Sequence, residues 1–457
     1  MNKNQVELGT QSVPKLLLKY SVPAIIGMMV NALYNVVDRV FIGNIPNVGS
    51  MAIAGLGVTM PILTIALAFG MLVGVGSATN VSLKLGQGKK EEAQSIIGTG
   101  MVLAVMLGIS LTIIGLLFSE QILRLFGASD STLYYAKSYT DIIVLGTTFS
   151  IMAMFCSNTI RGDGNPKLSA IIMTSGCFTN IILDALFIYK FNMGIKGAAT
   201  ATIVSQAVTA MWGISYYIRK KSNLEFKLSN VRFNKNAAKS ILAIGISPFA
   251  IQLAASLVQV ISNQSLKTYG GDLSIGAMAT ISSISMIFLM PSFGISQGMQ
   301  PIVGFNYGAK QYDRAKKALQ ICLIASTCIF AFGSIIINLA PQVLVGMFNS
   351  DPKLMDITIN GLKKYTITLP ILSIGIIGTN YIQSIGKAKV SILLSLLRQC
   401  IFLIPLIVIL PKYLGLNGVW FAQPVSDFIA IMIIGFVLIR EIKSYSNVNK
   451  EQVVLDI

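Results

Sequence analysis

Apolar residues dominate this chain in long stretches, each ended by glycine or by a short charged loop. Neither the alternation of a half-buried strand nor the narrow apolar stripe of a soluble helix organises them. A helix crosses the hydrocarbon core of a bilayer with about 20 apolar residues. The pattern predicts twelve such spans, at about 16–43, 52–80, 93–118, 133–159, 168–190, 195–218, 239–266, 273–303, 315–340, 357–383, 389–410 and 416–440. One connector alone is long. It runs from Arg219 to about Ala238, opens with Arg219, Lys220 and Lys221, and separates six spans from six. The expected fold is an all-α polytopic membrane protein of two six-helix bundles. Residues 1–218 form the first, 219–238 a basic linker, and 239–457 the second with a tail.

Composition strengthens this reading. Of 457 residues, 54% are hydrophobic and 12% charged, and the mean hydropathy is +0.71. A soluble domain carries about 25% charged residues, so composition disfavours a water-soluble fold, a disordered chain and a nucleic-acid module. The net charge of +17 is a topology signal instead. With both termini and the even-numbered connections on the cytoplasmic side, 24 of the 35 Lys and Arg fall there and 9 fall opposite. That bias orients the protein by the positive-inside rule and sets basic loops against anionic lipid. The first apolar run, from about Leu16, is too long for a cleavable signal and lacks a small-residue cleavage site. Histidine is absent, which removes His-ligated metals, Ser–His nucleophiles and histidine proton relays. The five cysteines lie in apolar stretches without CxxC spacing and read as packing residues.

The two halves repeat. Gly86-Gln-Gly-Lys-Lys-Glu-Glu-Ala93 and Gly308-Ala-Lys-Gln-Tyr-Asp-Arg-Ala315 are 222 residues apart, as are Gly164-Asn-Pro-Lys167 and Gly386-Lys-Ala-Lys389. Gly194, Gly197 and Ala201 match Gly415, Gly418 and Ala422 at 221. An even number of spans per repeat inserts both copies in one orientation. Two parallel bundles then face each other across a cleft, the geometry of alternating access. The repeat alone therefore points to a transporter.

Charges inside a membrane are costly and usually functional. Asp38, Asp184 and Asp427 are the acids well inside spans. Asn31, Asn35 and Asp38 form an i, i+4, i+7 stripe on span 1, and Asn180 and Asp184 stand one turn apart on span 5. Thr200 and Thr202 offer further oxygens on span 6. Such polar groups can simply bond neighbouring helices, but that role rarely needs two acids. Two carboxylates with amide oxygens can hold a proton or coordinate a bare cation such as Na⁺. The positions 222 beyond Asp184 and 225 beyond Asp38 are Leu406 and Asn263, so coupling chemistry belongs to the first half. Arg398 and Asp427 read as a structural ion pair. Pro23, which removes a backbone bond from the helix carrying Asp38, is a candidate hinge.

These residues carry a family resemblance. Pro23-Ala-Ile-Ile-Gly through Tyr34-Asn-Val-Val-Asp-Arg-Val-Phe-Ile-Gly43 resembles the first helix of multidrug and toxic compound extrusion (MATE) transporters. So do Ala54-Gly-Leu-Gly, Gly162-Asp-Gly-Asn-Pro, Asn180-Ile-Ile-Leu-Asp184 with Phe187-Ile-Tyr, and Gly194-Ile-Lys-Gly-Ala-Ala199. The likeness runs from Pro14 to about Lys443. It implies a bacterial drug exporter with its ion site in the N-terminal lobe, where Asp38, Asn180, Asp184 and Thr202 match cation-binding positions and Pro23 a bend point. Gln252 stands where another branch carries a glutamate.

The leading expectation is an Na⁺- or H⁺-coupled exporter of amphipathic organic cations: a monomer in the cell membrane, with no cofactor beyond the coupling ion and no enzymatic activity. A lipid-linked oligosaccharide flippase is the alternative. It predicts a strongly cationic cavity, whereas Arg39 and Arg398 are the basic residues deep in spans. Neither the substrate nor the choice of ion is encoded in a motif.

Overall fold

Each apolar stretch folds as a helix because a buried backbone must satisfy its own N–H and C=O groups. The structure, a computed structural model, describes residues 3–43, 45, 49–126, 128, 130–219, 222, 224, 231–347 and 352–455. The side chains of 3–6, 31–36, 39, 40, 43, 49–55, 57, 131, 132, 272 and 445–455 lie outside that description. A short helix α1 (Lys3–Thr10) precedes α2 (Val13–Gly43), α3 (Gly49–Gly86), α4 (Lys90–Leu125), α5 (Asp130–Leu145) and α6 (Thr147–Gly162). There follow α7 (Pro166–Asp184), which continues as a π-helix over Ala185–Lys190, α8 (Gly194–Ile218) and α9 (Lys235–Gly308). The remainder is α10 (Tyr312–Leu339), α11 (Pro341–Gly346), α12 (Pro352–Tyr365), α13 (Leu372–Ser384), α14 (Ala388–Leu396), a π-helix at Leu397–Leu403, α15 (Ile404–Leu414) and α16 (Leu416–Leu455).

Among the described residues, nine helices are long and apolar enough to cross a membrane, or eleven if each bent pair is one span. The bends fall at Leu145–Thr147 (54°) and between Tyr365 and Leu369 (41°), so the fourth span of each half breaks at the same point of the repeat. The remaining predicted span is α8, 25 residues long; Thr200, Thr202, Ser205, Gln206 and Thr209 make it more polar than the rest. The chain is thus a multi-pass membrane protein. Its surface is apolar where a soluble protein would be charged: Leu117, Phe332 and Phe436 are each more than 60% exposed, as lipid-facing residues should be.

The chain divides into two compact units. The first contains Met1–Gln11 and Ile26–Gln252, the second Ser12–Ile25 and Leu253–Ile457. Division by compactness therefore differs from division at the linker, of which residues 220, 221, 223 and 225–230 lie outside the described residues. The opening of α2 belongs to the second unit, and α9 begins in the first. Close backbone approach explains the attachment. A Cβ at Gly245 on α9 would overlap the carbonyl of Leu72 on α3, and one at Gly76 would overlap that of Ile241. Asn80 Nδ2 also donates to the Ser240 carbonyl at 3.0 Å. In the second unit a Cβ at Gly298 would stand 2.7 Å from Ser21 Cα. The same device thus recurs in both units, one repeat apart. The first unit's core around the candidate site comprises Ile42, Leu56, Tyr139, Ile143, Ile188, Ile195 and Ala198. The second unit buries Ile284, Phe288, Phe330 and Trp420.

Candidate functional site

The start of α7 is pinned by its sequence. Asn165 accepts from the Leu168 N–H at 3.2 Å, with Pro166 in the first turn, a favoured N-cap pairing. Just ahead, the fully buried Asp163 accepts from Tyr216 Oη at 2.7 Å and from Ser222 Oγ at 2.8 Å. This anchor ties α7 to the far end of α8. The α7 helix ends at Asp184 and passes into the π-helix, a geometry frequent at functional sites because it offsets the backbone register. The return is tight: a Cβ at Gly197 would stand 2.9 Å from the Phe187 carbonyl carbon. Only a residue without a side chain lets α8 lie this close and bring Thr202 beside α7.

Asp38, Asn180, Asp184 and Thr202 are all buried, with 8%, 1%, 0% and 5% exposure. The Asp184 carboxyl lies within side-chain hydrogen-bonding range of Asp38. In the orientation that satisfies both ends of its amide, Asn180 donates from Nδ2 to Asp184 Oδ2 at 3.1 Å and accepts at Oδ1 from the Thr202 N–H at 3.2 Å. The α2 segment is fixed by Tyr189 Oη, which donates to the Phe41 carbonyl at 3.1 Å, and by edge-to-face contact of the two rings. Three helices therefore bring these four side chains together. Two carboxyl groups this close in a low-dielectric interior repel unless a proton or cation is held between them.

The other candidates lie apart. Thr200, about 200° round the helix from Thr202, donates to the Lys196 carbonyl at 2.8 Å and stays out of the cluster. The side chains of Asn31, Asn35 and Arg39 lie outside the described residues. Pro23 is inside α2, in the segment assigned to the second unit and three residues before the division at Ile26. Arg398 Nη1 stands 3.6 Å from Asp427 Oδ1, which also accepts from Gln423 Nε2 at 3.0 Å. In the sequence Asp163 stands out only within the Gly162-Asp-Gly-Asn-Pro stretch, a short polar turn that carries no sign of a buried anchor. The hint was the pair Tyr216–Tyr217 at the end of an apolar span, since buried tyrosines seek polar partners.

The MatE family model matches residues 23–186 and 248–409, one stretch in each half. The chain belongs to the MatE family. Multidrug export protein MepA of Staphylococcus haemolyticus is 28% identical over 433 residues, covering 93% of each chain. The Staphylococcus aureus (strain MSSA476) protein of the same name is 25% identical over 433 residues, covering 93% of this chain and 94% of its own. The fold matches an outward-facing multidrug resistance MATE family transporter with a TM-score of 0.90 at 23% identity, covering 98% of this chain and 99% of that one. A MOP superfamily transporter from Pyrococcus furiosus gives the same TM-score, identity and coverage. The MatE fold is thereby the fold of this protein.

Proposed function

We propose that this MatE-family protein is a multidrug efflux antiporter that exports amphipathic organic cations by alternating access, driven by inward flow of H⁺ or Na⁺. The carrying observation is the contact of the Asp38 and Asp184 carboxyls in the interior of the first unit. The relatives named as multidrug export proteins along 93% of the chain support drugs as cargo.

The four side chains form a set of hard oxygen donors: two carboxylates, one amide and one hydroxyl. They suit a proton, and they suit a small hard cation. A proton between Asp38 and Asp184 leaves both bonds of Asn180 in place. Na⁺ requires that amide to rotate, because its Nδ2 faces Asp184. When the acids are charged they attract a cationic drug; when neutralised they release it. Ion and drug thus prefer different states of one element, which is all that coupling demands. That element is α2, with Pro23 as hinge.

The protein works as a monomer in the cell membrane with both termini cytoplasmic, in contact with anionic lipid. It carries out transport rather than catalysis, and nucleic acid is not a partner. The test is ethidium efflux in proteoliposomes under separately imposed proton and sodium gradients. At least one gradient should drive export, and Asp184→Asn should abolish it. Equal export by that variant would end the proposal.

A further inference from the structure

Near its basic end, α16 carries two faces of opposite character. Ile431, Ile434, Leu438 and Glu441 turn inward and are buried. Phe436, Ile439, Arg440, Lys443 and Ser444 stand at i, i+3, i+4, i+7 and i+8 on the other face. They line an open groove of about 420 Å³, within the size range of small-molecule sites.

Charge decides what the groove can hold. Among the described residues no acid pairs with Arg440 or Lys443. Glu441, between them in sequence, faces the interior, where Lys387 engages its carboxylate. Ser444 gives its hydroxyl hydrogen to the Glu441 carbonyl at 2.7 Å. Two cations remain, so the ligand is an anion. Arg440 can grip a phosphodiester through two N–H groups, and Lys443 adds a point charge.

The face does not end at the charges. Phe428, Met432, Phe436 and Ile439 are each more than half exposed and form one apolar stripe leading away from Arg440. Between Arg440 and Phe428 the helix rises about 18 Å, enough to cover one leaflet of a hydrocarbon core about 30 Å thick. A free anion would use the charged rim alone. A molecule anionic at one end and apolar along the rest uses the whole face.

We propose that this face of α16 binds one anionic phospholipid of the cytoplasmic leaflet. Its phosphate rests on Arg440 and Lys443, and an acyl chain runs along Ile439, Phe436 and Met432. The proposal rests on the orientation proposed above, which puts this end of α16 at that leaflet. It turns general contact with anionic lipid into a headgroup site at a named place.

The test is native mass spectrometry of the purified protein titrated with phosphatidylglycerol or phosphatidylcholine of identical acyl chains. The wild type should bind its first phosphatidylglycerol about tenfold tighter, the order expected of two cations beside an anionic headgroup. Arg440→Gln combined with Lys443→Gln should erase that preference and keep phosphatidylcholine binding. Lys316→Gln combined with Lys317→Gln removes equal charge from the start of α10 and should leave the preference intact. Equal wild-type affinities would overturn the site. Loss of preference in both double variants would also overturn it, by assigning the effect to diffuse surface charge. Displacement of the lipid by inorganic phosphate would make this a free-anion site and end the lipid assignment. The readout is lipid alone, so none of these failures touches drug export, which stands or falls on the efflux assay.

Discussion

Asp38 and Asp184, separated by 146 positions in the chain, meet as a buried carboxyl pair at the junction of α2 and α7. Pairs of this kind elsewhere share one proton or one cation, because both cannot stay ionised in close contact. Asn180 then completes the arrangement by bridging Asp184 to the Thr202 backbone.

Removing half of the pair should disable coupling without unfolding the protein. Asp184→Asn keeps the shape and leaves the neighbouring acid without its like-charged partner. Gradient-driven efflux should fall at least about tenfold, while size-exclusion profile and thermal midpoint stay near wild type.

The Pro23 prediction separates movement from binding. Pro23→Ala restores a backbone N–H inside α2 and stiffens the proposed hinge. Coupled efflux should drop several-fold more than drug affinity does. Parallel loss of both would place Pro23 in binding rather than in motion.

Asp163 should be structural. It is fully buried and accepts two hydroxyl bonds, each worth about 1.5–3 kcal/mol to a charged acceptor. Tyr216→Phe should therefore lower the thermal midpoint in detergent measurably, and Asp163→Ala should lower it further. Neither change should alter which ion drives export.

Two glycines make a matched pair for the packing argument. A Cβ on Gly245 would overlap the Leu72 carbonyl, whereas one on Gly435 meets nothing within 4 Å. Gly245→Ala should reduce the folded yield sharply. Gly435→Ala should leave it unchanged or improved, since alanine favours helix.

Much of this was legible in the sequence because membranes impose a simple rule. Apolar length reveals spans, and the 222-residue offset reveals the repeat; the shared bend of the fourth span in each half is seen in the structure alone. Asp38 and Asp184 stood out because acids are scarce in such stretches. What periodicity does not carry is partner choice. An apolar face reads the same against lipid, against its own unit or against another, so the opening of α2 grouping with the second unit had no signature. Thr200 and Thr202 are chemically alike, and only their rotation about α8 separates them.

The central claim is that ion and drug compete through the Asp38–Asp184 pair. The direct measurement is drug affinity of wild type and Asp38→Asn at high and low pH, each with and without Na⁺. Wild-type affinity for a cationic drug should fall when protons or Na⁺ are added, because either neutralises the acids that attract it. Asp38→Asn should show a weaker, flatter response. A wild-type affinity indifferent to both ions would contradict the account and move coupling away from this pair.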